Sequence, residues 1–396
     1  MMDASFFIAG RLRFKGRIAM ISIAISYLVI IIAVSVSSGF RKEIRSGLSR
    51  LSGDVQLMSP TMNVMDGDSP VNEDASYMSH VQEVEGVESL LPVVYRAGIV
   101  KNGEDIHGII MKGIPRESGM FSEIHSSDSV RLPVSIPSRL ADISGLASGD
   151  RMLAYFVGED VKARQLNIVS VHDAMVETDD RLVVYADIAD MQRLNGWDAE
   201  EVSCIEIILK DKEESYIEDI TQEIGTIVNA CSSEDDPSVI AVSSVSRYPQ
   251  LFDWLDLIDF NVVFILILMT IVAGFNMISG LLIMLFENIS TIGLLKSLGM
   301  TDRAISKVFL SSSAVLVLKG MAAGNVMALL FCLIQNTTHV LRLNPENYFV
   351  PYVPVSPDLG MILTADVVSF AVIMLLLLIP CLFISKVDPA ETVRVK

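Results

Sequence analysis

The run from Ile18 to Ser38, IAMISIAISYLVIIIAVSVSS, contains no charged residue. As an α-helix rising about 1.5 Å per residue it is long enough to cross the roughly 30 Å hydrocarbon core of a bilayer. Arg11, Arg13, Lys15 and Arg17 precede it, as they would a signal peptide. The apolar core is too long for one, and SGFRKEIRSGL after it offers no small-residue cleavage site, so the run reads as a retained span. Further apolar stretches run from about Phe260 to Phe286, Val308 to Ile334 and Met361 to Ile384. The expected fold class is a four-helix α-helical transmembrane protein with a large α+β domain inserted between the first and second spans.

Basic residues set the orientation, because Lys and Arg gather in cytoplasmic flanks. The segments 1–17, 287–307 and 385–396 carry net charges of +3, +1 and +1 and residues 308–384 carry −1, so residues 18–286 hold −22 in a chain whose net charge is −18. The acidic block therefore faces away from the cytoplasm. The expected order is a cytoplasmic segment 1–17, first span 18–39, outer domain 40–258, second span 259–286, cytoplasmic segment 287–307, third span 308–334, short outer loop 335–360, fourth span 361–384 and cytoplasmic tail 385–396. An acidity this strong excludes a nucleic-acid partner, which needs a basic surface.

Within the outer block, SSGFRKEIRSGLSRLSGDVQL reads as a helix leaving the membrane, then a turn and a first strand. SLLPVVYRAGIVKNG and GEDIHGIIMKGI form a hairpin pattern, a short helix ends near Leu146, another begins near Asp187, and VSCIEIILKD alternates as a strand. EESYIEDITQEIGTIV has amphipathic helical spacing. Two α+β subdomains are expected, with about 115–198 inserted into the other. Trp254 in PQLFDWLDLID marks the approach to the second span.

Chemistry is hard to find. His80, His107, His125, His172 and His339 are scattered, without HExxH or helical pairing. There is no GxSxG elbow and no GxxxxGK[ST] loop, so neither hydrolase chemistry nor bound nucleotide is expected. Cys332 and Cys381 lie in apolar runs; Cys204 and Cys231 share the outer block, and their spacing leaves a disulfide open. Lys319 and Asp366 are the charges within the last two spans, and they would pair if their helices are adjacent, or else snorkel and sit at the interface.

The segment FENISTIGLLKSLGMTDRAISKVFL carries the most information. Ile289, Ile292, Leu295 and Leu298 recur at three-residue spacing, Gly299 is placed to stop a helix, and Thr301 to start the next. This predicts a short cytoplasmic helix between two spans, either lying at the lipid interface or docked into a cytoplasmic partner.

With FIAGRLRFKGRIAMISIAIS, SGFRKEIRSGLSRLSGDVQL, IVAGFNMISGLLIMLFENISTIGLLKSLGMTDRAISKVFL and ISKVDPAETVR, the chain resembles the lipoprotein-releasing permeases (LolC/LolE type) of bacterial ABC transporters, within the class having an FtsX-like permease domain and a MacB-like periplasmic core. The resemblance implies a Gram-negative inner-membrane, non-catalytic subunit that binds no cofactor itself. It would work with a second permease copy or paralogue on a cytoplasmic ATPase dimer (LolD-like) that holds ATP and Mg. It would pass acylated lipoproteins to a periplasmic carrier (LolA-like). MacB-like efflux or export and FtsX-like control of a cell-wall hydrolase are the alternatives. The family's ATPase-coupling helix corresponds to Glu287, Ile292, Gly293, Leu295, Lys296, Leu298 and Gly299, with Arg303 following; Asn288 and Ser290 depart from its usual charged residues. Acyl chains would be received on the membrane-proximal helices, for which Ile25, Phe40, Leu255, Phe260, Phe264 and Phe275 are candidates by geometry.

Overall fold

The computed structural model describes residues 17–64, 69–102, 105–118, 124, 131–158, 161–173, 182–233, 236–344 and 348–382. The expectations for residues 1–16 and for the tail beyond 382 lie outside the described residues. Among the described residues four helices are long and apolar enough to cross a membrane: Arg17–Ser52, Pro249–Glu287, Asp302–Thr338 and one from Leu359 to Cys381. The large α+β domain lies between the first and second of them, as the spacing of the apolar runs implied.

One unit comprises residues 1–42, 253–342 and 352–396. Its core gathers Ile23 and Tyr27 from the first helix, Met277 and Leu281 from the second, Phe309 and Met321 from the third and Ile373 from the fourth. Gly320 and Gly324 let the first and third helices meet backbone to backbone. A Cβ on Gly320 would stand 2.7 Å from Ile23 Cγ2, and one on Gly324 2.6 Å from the Ala24 carbonyl oxygen. Small residues at four-residue spacing are the usual means of such approach in lipid, where packing has to supply what the hydrophobic effect does not.

The other unit comprises residues 43–252 and 343–351. β1 (Val55–Met58) lies between β11 (Ile240–Ser243) and β10 (Cys204–Leu209), and β10 pairs with the first half of β3 (Val87–Asn102). The second half of β3 pairs with β4 (Asp105–Ile114), and the order continues through β8 (Leu182–Asp187), β5 (Arg131–Pro137), β7 (Lys162–His172) and β6 (Arg151–Phe156). β6 returns to β3, with Ile99 opposite Tyr155, which closes a six-stranded barrel. β2 (Val71–Asn72) and β9 (Glu201–Val202) pair separately.

The barrel takes in β3 from Val94 onward, upstream of the expected start near residue 115, because one 16-residue strand serves both halves of the sheet. The helix Glu214–Cys231 buries Ile217, Ile220, Ile224 and Val228, the spacing that its amphipathic pattern demanded. Asp187 caps the helix Ile188–Asn195 by accepting from the Ala189 N–H at 2.9 Å, and Gly145 ends the helix Ser138–Ser144. Cys204 and Cys231 are free thiols.

Candidate functional site

The short helix between the second and third spans runs from Ile289 to Ser297. It is set off from the second span at Asn288, whose side-chain amide donates to the Met284 carbonyl at 2.8 Å. Its other end is a Schellman motif: Gly299 adopts φ +86°, its N–H reaches the Lys296 carbonyl at 2.9 Å, and the Met300 N–H reaches Leu295 at 3.0 Å. Thr301 then caps the third span, accepting from the Ala304 N–H at 3.4 Å, and Lys296 pairs with Asp302 at 2.9 Å across the turn.

These restraints fix which face the helix shows. Ile292 and Gly293 are buried, and Leu295 packs against the bundle core. Leu294 and Leu298 are 55% and 75% exposed and one turn apart. Glu287, Ser290, Thr291, Ser297, Gly299 and Arg303 are also exposed. Of the expected coupling residues, Glu287, Leu298, Gly299 and Arg303 are accessible to a partner; Ile292 and Gly293 hold the helix in place, and Lys296 is committed to Asp302. Leu294 was not singled out from sequence, although its four-residue step to Leu298 was the signal available.

The candidate apolar receiving surface divides in the same way. Phe260, Phe264 and Phe275 are 60–70% exposed and Ile25 is 53% exposed, whereas Phe40 and Leu255 are buried. Phe40 is closed off by its edge-on packing against Trp254, centroids 5.6 Å apart. Trp254 therefore ties the first two helices together in addition to marking an approach to the membrane. Asp259 reinforces that join by accepting from Ser37 and pairing with Arg41.

The expected alternative of a Lys319–Asp366 pair is not formed. Asn325 donates to Asp366 at 2.6 Å instead, and Lys319 is exposed. Lys319 stands six residues from Asn325, about 9 Å along the axis and some 240° around it, so both side chains cannot face Asp366.

In the outer unit, the carboxyl end of the first helix enters a buried polar clamp. The last carbonyls of a helix lack partners of their own and attract cations. Lys112 Nζ of β4 donates to the Leu51 carbonyl at 2.7 Å and lies 2.8 Å from Glu206 Oε2 of β10, and the two charges are 0% and 1% exposed. Tyr95 donates to Glu206 Oε1 at 2.5 Å, and Gln56 Nε2 to the Ser52 carbonyl at 2.8 Å. Asp54 accepts from Ser49 Oγ at 3.0 Å and from the Leu209 N–H at 2.8 Å, and burial raises its pKa against these bonds. Arg45 pairs with Glu214 at 2.5 Å one turn earlier. Sequence inspection missed this clamp; opposite charges set singly inside the apolar strands IIMKGI and CIEIIL were the cue.

Nothing in the outer unit presents an activated nucleophile among the described residues. Burial, followed by the Glu206 charge, pushes the Cys204 thiol well up. His172 bonds Ser135 Oγ at 2.8 Å, with burial lowering its pKa to about 4. Among the described residues no group of three His, Cys, Asp or Glu is placed to hold a metal.

Comparison with known proteins follows the same lines. Residues 263–389 match the FtsX-like permease C-terminal family model. The chain is 22% identical over 414 residues to the lipoprotein-releasing system transmembrane protein LolC of Neisseria meningitidis serogroup B, covering 97% of this chain and 95% of that protein. It is 18% identical to the LolE protein of Haemophilus influenzae, covering 95% and 93%. The extracellular domain of the noncanonic ABC-type transporter YknZ overlaps 48% of this chain and 99% of its own at 11% identity and a TM-score of 0.29. The periplasmic region of MacB from Actinobacillus actinomycetemcomitans overlaps 51% and 95% at 12% identity and a TM-score of 0.30. Its carboxyl-terminal third is thus similar to the FtsX-like permease C-terminal domain, and nearly its whole length is similar to the LolC and LolE transmembrane proteins.

Proposed function

We propose that this chain is a mechanotransmitting permease subunit that uses the stroke of a separate cytoplasmic ATPase dimer to lift acylated proteins out of the membrane for a soluble carrier. The observation that carries the proposal is the short helix Ile289–Ser297, capped at one end, pinned by Lys296–Asp302 and offering Leu294 and Leu298 outward. A knob held this firmly between two spans converts a push on its tip into movement of both. The basic flanks orient it toward the cytoplasm, where ATP and Mg would reside on the partner. A second copy of the chain or a paralogue would complete the permease.

Lipoprotein release is supported by alignment with LolC and LolE along nearly the whole chain. Its energetics require a motor: each acyl CH₂ left in the bilayer is worth about 0.8 kcal/mol, so three chains of roughly 15 methylenes hold on the order of 35 kcal/mol. The exposed aromatic face Phe260, Phe264 and Phe275 offers an apolar landing for such chains. MacB-type export is the second reading, favoured because the family match falls on the helical third, which serves the whole class and carries no mark of cargo.

Photocrosslinking from Phe264 in membranes containing the cognate ATPase tests the proposal. Capture of acylated protein, lost on ATP turnover, is the expected result. Capture of a non-acylated export substrate in its place moves the chain to the second reading. The double substitution Leu294→Asp and Leu298→Asp is expected to abolish ATP-driven release while the spans still fold; unimpaired release would refute the knob.

A further inference from the structure

The third and fourth spans meet at a carboxyl and an amide. Asn325 Nδ2 donates to Asp366 Oδ2 at 2.6 Å. The other oxygen of each group, Asn325 Oδ1 and Asp366 Oδ1, is buried and has no hydrogen-bond partner. Every span contributes a polar group nearby. Tyr27 of the first helix is 0% exposed, its hydroxyl is also unpartnered, and it lies within reach of Asp366 and Ser369. Thr270 of the second bonds Ser369 of the fourth at 3.1 Å. Lys319, on the third helix, points elsewhere, and among the described residues no cation is paired with Asp366.

Two acceptor oxygens cannot bond each other. A planar amide and a planar carboxyl joined by one N–H···O bond close a second bond only when the carboxyl carries a proton to give. An ionised Asp366 would keep one charged oxygen unpaired in a hydrocarbon layer, which is among the costliest arrangements a protein can hold. Protonation removes the charge and supplies the missing donor to the Asn325 carbonyl in one step.

We propose that Asp366 is a proton-binding site. It holds a proton on Oδ1, donates it to Asn325 Oδ1, and thereby forms with Asn325 a neutral, doubly bonded latch between the third and fourth spans. Tyr27 is the titratable neighbour, and the second span faces the latch with the uncharged Thr270.

The test uses the full-length chain in lipid nanodiscs at neutral pH. Infrared spectroscopy is expected to find the C=O band of a protonated carboxyl in the unaltered protein, lost in Asp366→Asn and displaced in Asn325→Leu. Dicyclohexylcarbodiimide, which adds to protonated carboxyls in apolar surroundings, is expected to label the unaltered chain and not Asp366→Asn. Asparagine keeps both bonds to Asn325, so Asp366→Asn should unfold at an unchanged temperature. A spectrum with only ionised carboxylates would overturn the proposal, as would a marked drop in the unfolding temperature of Asp366→Asn. If that variant fails to fold, isotope labelling of aspartate in the unaltered chain still decides the protonation state.

Discussion

Replacing Lys112 with Met isolates the worth of the clamp at the end of the first helix. Lys112 and Glu206 are 0% and 1% exposed, so the substitution leaves a carboxylate without its bonded cation and without access to water. It also removes the donor that reaches the Leu51 carbonyl at 2.7 Å. Breaking a buried pair in this way costs about 3–5 kcal/mol, much of it the cost of the abandoned charge. For a domain of this size each kcal/mol moves the unfolding midpoint by roughly 2–4 °C, so a fall of about 6–20 °C is expected. The double variant Lys112→Met, Glu206→Leu carries no stranded charge. It should recover most of the loss, because the Tyr95 hydroxyl, freed from Glu206, lies 3.4 Å from the Leu51 carbonyl and can donate to it. Trp197, packed against the core of the outer unit, reports unfolding by fluorescence in a Trp254→Phe background. A shift of less than about 3 °C for the single variant, or a double variant no more stable than the single, would refute the reasoning.

Two further outcomes are expected. Gly324→Ala places a methyl group 2.6 Å from the Ala24 carbonyl oxygen and should destabilise the bundle by about 1–3 kcal/mol, read as a lower unfolding temperature of the full chain in detergent; an unchanged temperature would mean that the helices separate freely there. His172 has a folded pKa of about 4 against an ordinary 6.5, so the unfolded chain binds its proton first as pH falls. Stability is then full above about pH 6.5, declines between there and pH 4 by roughly 3 kcal/mol in total, and shows a flatter decline in His172→Asn, measured by denaturant unfolding across that range.

How much of this was legible depended on the range of the forces involved. The spans could be read because burial in lipid acts on every residue of a continuous run, as from Ile18 to Ser38. The caps at Gly299 and Thr301 were legible because a cap is satisfied within a few residues of itself. The closure of the barrel by Ile99 against Tyr155 joins strands more than fifty positions apart, and no local pattern announces it. The division of the aromatic candidates into exposed Phe264 and buried Phe40 likewise depended on where Trp254 came to rest. Lys319 and Asp366 invited pairing by charge alone, and helix phase gave the contact to an uncharged asparagine.

The backbone approach at Gly320 and Gly324 also restricts traffic. A seam in which the peptide groups of two helices touch leaves no width for an acyl tail, so that side of the bundle is shut to anything entering sideways from the bilayer. On the proposed reading, a doorway for acyl cargo would have to open along some other edge, and the exposed aromatic flank of Phe260, Phe264 and Phe275 is the candidate.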